Sequence, residues 1–138
     1  MNNPTHNKRI LIVEDEAPFQ EIYSDILESE GYDTKIAESA EVALEWLESN
    51  TPDLVLLDII LPKQSGIDVL RHIRSTPTTQ NTPVVVYSVI NDRTKIDQAL
   101  ALGANDFTIK GETEAYEVIS KVNTLLGVQP ISEKTNQE

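Results

Sequence analysis

A chain of 138 residues has room for one compact domain that buries about two-thirds of its unfolded surface. Its formal charge of −12, from 11 Lys+Arg against 23 Asp+Glu, argues against direct nucleic-acid binding, which needs a basic face. The absence of cysteine excludes disulfides, thiol catalysis and thiolate metal sites and fits a cytoplasmic setting, and no apolar run approaches the roughly 20 residues of a membrane span.

In chain order, residues 1–7 read as a disordered polar arm. Ile10-Leu11-Ile12-Val13 is an apolar run that stops at Glu14-Asp15 and predicts a strand. Phe19, Ile22, Tyr23, Ile26 and Leu27 then recur at helical spacing, with Gly31 where a left-handed cap is expected, so a helix ends near Glu30. Glu16 is expected in solvent at its head. Thr34-Lys35-Ile36-Ala37 is interrupted by polar residues and predicts an edge strand. Ser39 offers an N-cap to a helix whose apolar side is Ala40, Ala43, Leu44, Trp46 and Leu47, with Trp46 read as packing material.

Leu54-Val55-Leu56-Leu57 is apolar without alternation, as expected for a central strand covered on both faces, and it stops at Asp58. Ile67, Leu70 and Ile73 mark a third helix with His72 on its exposed side, followed by a polar connection, Ser75 to Thr82, read as an exposed loop. Val84-Val85-Val86-Tyr87 predicts a strand that stops at Ser88. Ile96, Ala99, Leu100 and Gly103 space a fourth helix capped by Asn91 or Asp92. Phe107-Thr108-Ile109 is a short strand that stops at Lys110, and Val118, Ile119, Val122, Leu125 and Leu126 carry the last helix. Residues 128–138 read as a polar tail. Strands alternating with helices imply right-handed βαβ units, hence one α/β doubly wound domain over residues 8–127 with helices on both faces of a parallel sheet.

In such sheets all four stops fall on one carboxyl edge, where ligands bind. Three carboxylates, a hydroxyl and an ammonium converging there suggest a cation and an anion held where an aspartate acts as nucleophile. Mg2+ (or Mn2+) suits such a site, because it takes oxygen ligands and is held by one or two carboxylates plus phosphate.

Ile-Val-Glu14-Asp15-Glu16, Leu-Leu-Asp58-Ile-Ile-Leu-Pro62-Lys-Gln-Ser-Gly66, Tyr-Ser88 and Asp-Phe107-Thr-Ile-Lys110 resemble, in order and spacing, the signature of the receiver domain of two-component response regulators. The resemblance runs from about Lys8 to Leu126 and implies a five-stranded, flavodoxin-like sheet of order 2-1-3-4-5. It implies that Asp58 accepts a phosphoryl group from a sensor histidine kinase or histidine phosphotransfer protein. Asp15 and Asp58 would hold the metal directly, Glu14 through water, and the backbone carbonyl of Ile60 would complete the protein ligands. Lys110 would pair with the carboxylate and then with the phosphoryl group. Ser88 and Phe107 would act as switch residues, altering a protein-binding face made by the fourth helix, fifth strand and last helix. The chain resembles a stand-alone, chemotaxis-type receiver, a monomer or weak homodimer, and not an enzyme beyond its own phosphorylation and dephosphorylation.

Several positions depart from the family's pattern. Glu14 replaces the usual aspartate, Val89 occupies a place usually given to a small residue, and Phe107 lacks the hydroxyl of the frequent tyrosine. Gly111 stands where proline is usual, and a trans bond is expected before it. A pseudo-receiver, binding its partner irrespective of phosphorylation, is therefore the alternative reading. A cofactor-binding enzyme on a similar fold is a third, disfavoured by the lack of a Gly-rich phosphate loop.

Overall fold

The computed structural model describes residues 7–89 and 93–129. Five parallel strands, β1 (Arg9–Val13), β2 (Asp33–Ala37), β3 (Leu54–Asp58), β4 (Val84–Ser88) and β5 (Asp106–Ile109), form a sheet of order β2-β1-β3-β4-β5. They alternate with α1 (Ala17–Ser29), α2 (Ala40–Leu47), α3 (Gly66–Ser75), α4 (Arg93–Ala101) and α5 (Ala115–Leu126). This is the doubly wound, flavodoxin-like arrangement expected from the sequence.

Side chains on successive strand residues point to opposite faces, so each central strand feeds two cores. Leu11, Val13, Val55, Leu57, Val84 and Val86 pack with Ala43 of α2, Leu70 of α3 and Ile96 of α4. Ile10, Ile12, Leu54, Leu56, Val85 and Tyr87 pack with Tyr23 and Leu27 of α1 and Val118 and Val122 of α5. Both faces of β3 are covered, which explains its run of apolar residues without alternation; β2, half-exposed, is the predicted edge. No helix among the described residues is long and apolar enough to cross a membrane.

Local signals act as read. The Ser39 hydroxyl accepts a bond from the Val42 N–H at 3.1 Å and so caps α2, and Gly31 takes φ 93° behind α1. Trp46 is half-buried against the first core. Residues 1–6, Ile90, the predicted caps Asn91 and Asp92, and the tail from residue 130 lie outside the described residues.

Two readings need correction. His72 is half-buried rather than on an open face, and the connection after α3 is more than an exposed loop. The Thr76 hydroxyl donates to the His72 carbonyl at 2.7 Å, and that of Thr79, only 2% exposed, donates to the Ile73 carbonyl at 2.8 Å. Hydroxyls thus satisfy the free carbonyls at the end of α3, and the segment folds back on the helix. Arg74 fastens it: its guanidinium donates to the carbonyls of Thr82 and Gly103 and to Asn105 Oδ1, which also accepts from the Val84 N–H. These bonds tie α3 and the turn after α4 to the start of β4.

Candidate functional site

The register brings the predicted residues together at the carboxyl edge. Val13 pairs with Leu57 and Asp58 with Tyr87, so Glu14, Asp58 and Ser88 follow one another across three adjacent strand ends. Lys110 arrives from the next strand, its N–H donating to the Ser88 carbonyl at 2.7 Å. Asp58 is 1% exposed; its Oδ1 accepts from the Ile60 N–H at 2.9 Å and its Oδ2 from Lys110 Nζ at 2.9 Å. The Lys110 ammonium also lies 3.2 Å from Glu14 Oε2 and 2.7 Å from Glu16 Oε1, and 4.7 Å from the centroid of the Phe19 ring. One carboxylate oxygen each from Glu14, Asp15 and Asp58 lie within 4.8 Å of one another. A cavity of about 370 Å³ opens over Asp15, Glu16, Asp58 and Lys110, with Ile60, Leu61, Pro62 and Val89 at its walls.

Charge decides what this cavity can hold. Burial pushes the Asp58 carboxyl up to about 6; the Lys110 and Ile60 hydrogen bonds and the Lys110 charge oppose the rise, and Glu14 adds to it. Burial pulls the Lys110 ammonium down, but its bonds to Glu16 and Asp58 and the charges of Asp58 and Glu14 carry it above the ordinary lysine value. Three carboxylates, of Glu14, Glu16 and Asp58, therefore face one ammonium, and a fourth, of Asp15, lies beside two of them. The donors are hard oxygens, one carboxylate exposed and two buried, and they fit a hard divalent cation that offsets their mutual repulsion.

Glycine packing fixes the backbone at Asp58. A Cβ on Gly66 would fall 2.2 Å from the Asp58 carbonyl oxygen and 2.7 Å from Ile59 Cα, so α3 can start against the end of β3 only without a side chain there. Gly66→Ala is expected to destabilise the fold by about 1–3 kcal/mol, since neither contact is with a side chain that can swing aside. Urea unfolding checks it; a loss below about 0.5 kcal/mol, typical of an unconstrained surface change, would contradict the packing argument.

Not every predicted residue reaches the cavity. Ser88 is fully buried at the end of β4 and does not line it, whereas Val89 does and is 45% exposed. Phe107 sits half-buried on the α4 side, with the Arg93 guanidinium 5.1 Å from its ring centroid, so it contacts α4 and not the acid cluster. Gly111 takes φ +83°, and the bond before it is trans, as expected.

Three contacts at the site carry no signal in the apolar pattern. Glu16 is exposed at the head of α1, as expected, its side chain 54% exposed, yet its carboxylate also reaches Lys110 because the residue before α1 faces the cavity. Tyr87 belongs to the strand core by pattern, and its hydroxyl also donates to Glu14 Oε1 at 2.6 Å. Phe19, on the apolar side of α1, also lies beside the Lys110 ammonium. A tyrosine closing a run of valines, opposite a glutamate one methylene longer than expected, was the signal available for the second.

Residues 10–123 match the family described as the response regulator receiver domain. The phosphate regulon transcriptional regulatory protein PhoB of Escherichia coli K12 is 37% identical over 119 residues, covering 86% of this chain and 52% of PhoB. The Regulator of RpoS from the same organism is 39% identical over 110 residues, covering 80% of this chain and 32% of that protein. This chain thus spans about half, or less, of the length of these relatives. The signal receiver domain of a signal transduction histidine kinase from Syntrophus aciditrophicus superposes with a TM-score of 0.80 at 30% identity, covering 87% of this chain and 90% of that one. With Asp58, Lys110 and the Glu14-Asp15 pair gathered at the edge of a 2-1-3-4-5 sheet, and the match extending over most of its length, the chain belongs to the receiver domains of two-component response regulators.

Proposed function

We propose that the chain is a cytoplasmic response-regulator receiver that takes a phosphoryl group onto Asp58 from a sensor histidine kinase or a histidine phosphotransfer protein. The observation that carries this reading is the contact of Lys110 Nζ with Asp58 Oδ2 at 2.9 Å at the foot of an acidic, open cavity. An Asp58 oxygen attacks phosphorus in line, the bond from phosphorus to the donor imidazole nitrogen breaks, and that nitrogen keeps the electron pair. Before transfer Lys110 holds the nucleophile's orientation, with its second oxygen fixed by the Ile60 N–H. As charge shifts to the phosphoryl oxygens, the ammonium follows it, being a point charge on a flexible stem. Asp15, Asp58 and the Ile60 carbonyl would hold Mg2+ (or Mn2+), with Glu14 behind them; when bound, the ion screens the incoming phosphoryl oxygens from the carboxylates.

Ser88, drawn towards the new phosphoryl group, would move the strand end it closes. Phe107 and the face of α4, β5 and α5 would then change shape for a downstream protein. The chain's acidity favours a protein partner over direct nucleic-acid contact. The intact Lys110-to-Asp58 contact favours this reading over a pseudo-receiver. Calorimetric titration with the fluoroberyllate mimic of a phosphoryl group, with and without Mg2+, tests it. Binding that requires both Mg2+ and Asp58 is expected; binding unaffected by Asp58→Asn, or none to the folded, metal-loaded protein, would leave the constitutive interaction module.

A further inference from the structure

Glu14 combines complete burial with a fully occupied carboxylate. Its Oε1 accepts the Tyr87 hydroxyl at 2.6 Å, and its Oε2 accepts the Glu16 N–H at 2.9 Å and Lys110 Nζ at 3.2 Å. Tyr87 is itself fully buried, pairs in register with Asp58, and is held edge-on by the Tyr23 ring at 5.2 Å between centroids. Its hydroxyl therefore has little freedom to leave Glu14. The extra methylene of glutamate over aspartate is taken up in reaching that hydroxyl. Asp15 and Asp58 line the cavity and Glu14 does not, although one of its oxygens lies within 4.8 Å of theirs.

We infer that Tyr87 is a specificity-determining residue of the cation site, acting through Glu14: it holds this third carboxylate back and so favours Mg2+ over Ca2+. The inference rests on the divalent-cation reading given above. Mg2+ demands a tight octahedron, keeps several waters and is content with one or two carboxylates, whereas Ca2+ takes six to eight oxygens at longer range and gains from a further carboxylate. Without the Tyr87 hydroxyl, Glu14 Oε1 is a buried acceptor without a donor, a costly state. A cation in the adjoining cavity is the partner at hand. Tyr87 is a positioning residue in this scheme, since it touches neither the cation nor the phosphoryl group.

The test is calorimetric titration of Mg2+ and, separately, Ca2+ into wild type, Tyr87→Phe, Glu14→Gln and the double variant. Tyr87→Phe is expected to shift the ratio of the two dissociation constants towards Ca2+ by about tenfold, the lower range for loss of a group that orients a metal ligand. The shift should vanish in the double variant, where the side chain at position 14 carries no charge. Glu14→Gln alone should weaken both ions alike, because its carboxamide oxygen still accepts from Tyr87. An unchanged ratio in Tyr87→Phe, or a shift that survives in the double variant, overturns the inference. Should Tyr87→Phe not fold, Glu14→Gln decides alone: a selective loss of Ca2+ binding would make Glu14 a direct ligand already in wild type and sink the idea. Absence of divalent binding to folded wild type would instead remove the cation reading itself, and this inference with it.

Discussion

Lys110→Met is expected to slow phosphorylation of Asp58 by about 10²–10³-fold, the usual cost of removing one preorganised group aimed at developing charge. It should also destabilise the cation-free protein by about 3–5 kcal/mol, the range for breaking a buried charge pair from one side. Both effects come from one atom: Lys110 Nζ is the shared partner of Asp58, Glu14 and Glu16, and its side chain is only 10% exposed. Methionine matches the length of the stem and its packing beside Phe19, so the loss reports the charge and not a hole. Mg2+ should restore a larger part of the stability in Lys110→Met than it adds to wild type, because more uncompensated negative charge then awaits it.

The pH dependence of the cation-free variant separates this account from a packing defect. The folded-state pKa of Asp58, about 6, lies above its ordinary value of 3.8, so the native state binds more protons than the unfolded chain between those values. Stability from this group is therefore present at low pH and lost as pH rises through about 6. Removing Lys110 takes away the largest influence that lowers this pKa, so the loss should extend to higher pH, and the deficit against wild type should shrink on acidification. Urea unfolding in a chelating buffer at several pH values measures it; a deficit of constant size from pH 5 to 8, roughly the range of maximal stability for most proteins, would mean that the ammonium is not compensating the acids.

Much of this site was legible because each functional side chain ends a buried strand, and a buried parallel strand announces itself by an apolar run that a polar residue cuts off. Leu54 to Leu57 before Asp58 is the clearest, covered on both faces and paired on both edges. Capping residues were legible for the same local reason: the Ser39 hydroxyl needs only its own helix, and Gly31 only its own turn. Contacts that depend on strand order were not. The Tyr87 hydroxyl meets Glu14 because β4 and β1 flank β3, and periodicity fixes neither neighbour; the order came from resemblance. Glu16 bonds Lys110 because β5 and the head of α1 share the same edge. Thr79 and Thr82 are buried in a stretch whose composition signals solvent, because the Thr79 hydroxyl donates to the Ile73 carbonyl of α3 and the Thr82 carbonyl accepts from Arg74.

Phosphorylation at Asp58 is the central claim, and its expected effect is all or nothing. Asparagine keeps the shape of the aspartate, and its Oδ1 can still accept from the Ile60 N–H. It lacks the nucleophilic carboxylate, so the covalent step is lost while the fold is kept. Neighbouring acids cannot substitute: Glu14 is buried behind its three donors, and Asp15 is exposed at the rim, away from the Lys110 bond.

The decisive measurement is the intact mass of the protein after incubation with Mg2+ and a small acyl-phosphate donor, and with a phosphorylated histidine kinase where that donor is slow, for wild type and Asp58→Asn in parallel. The account predicts a gain of one phosphoryl mass in wild type and none in Asp58→Asn. A phosphoryl mass that persists in Asp58→Asn, or no gain with either donor in folded, Mg2+-bound wild type, would contradict it.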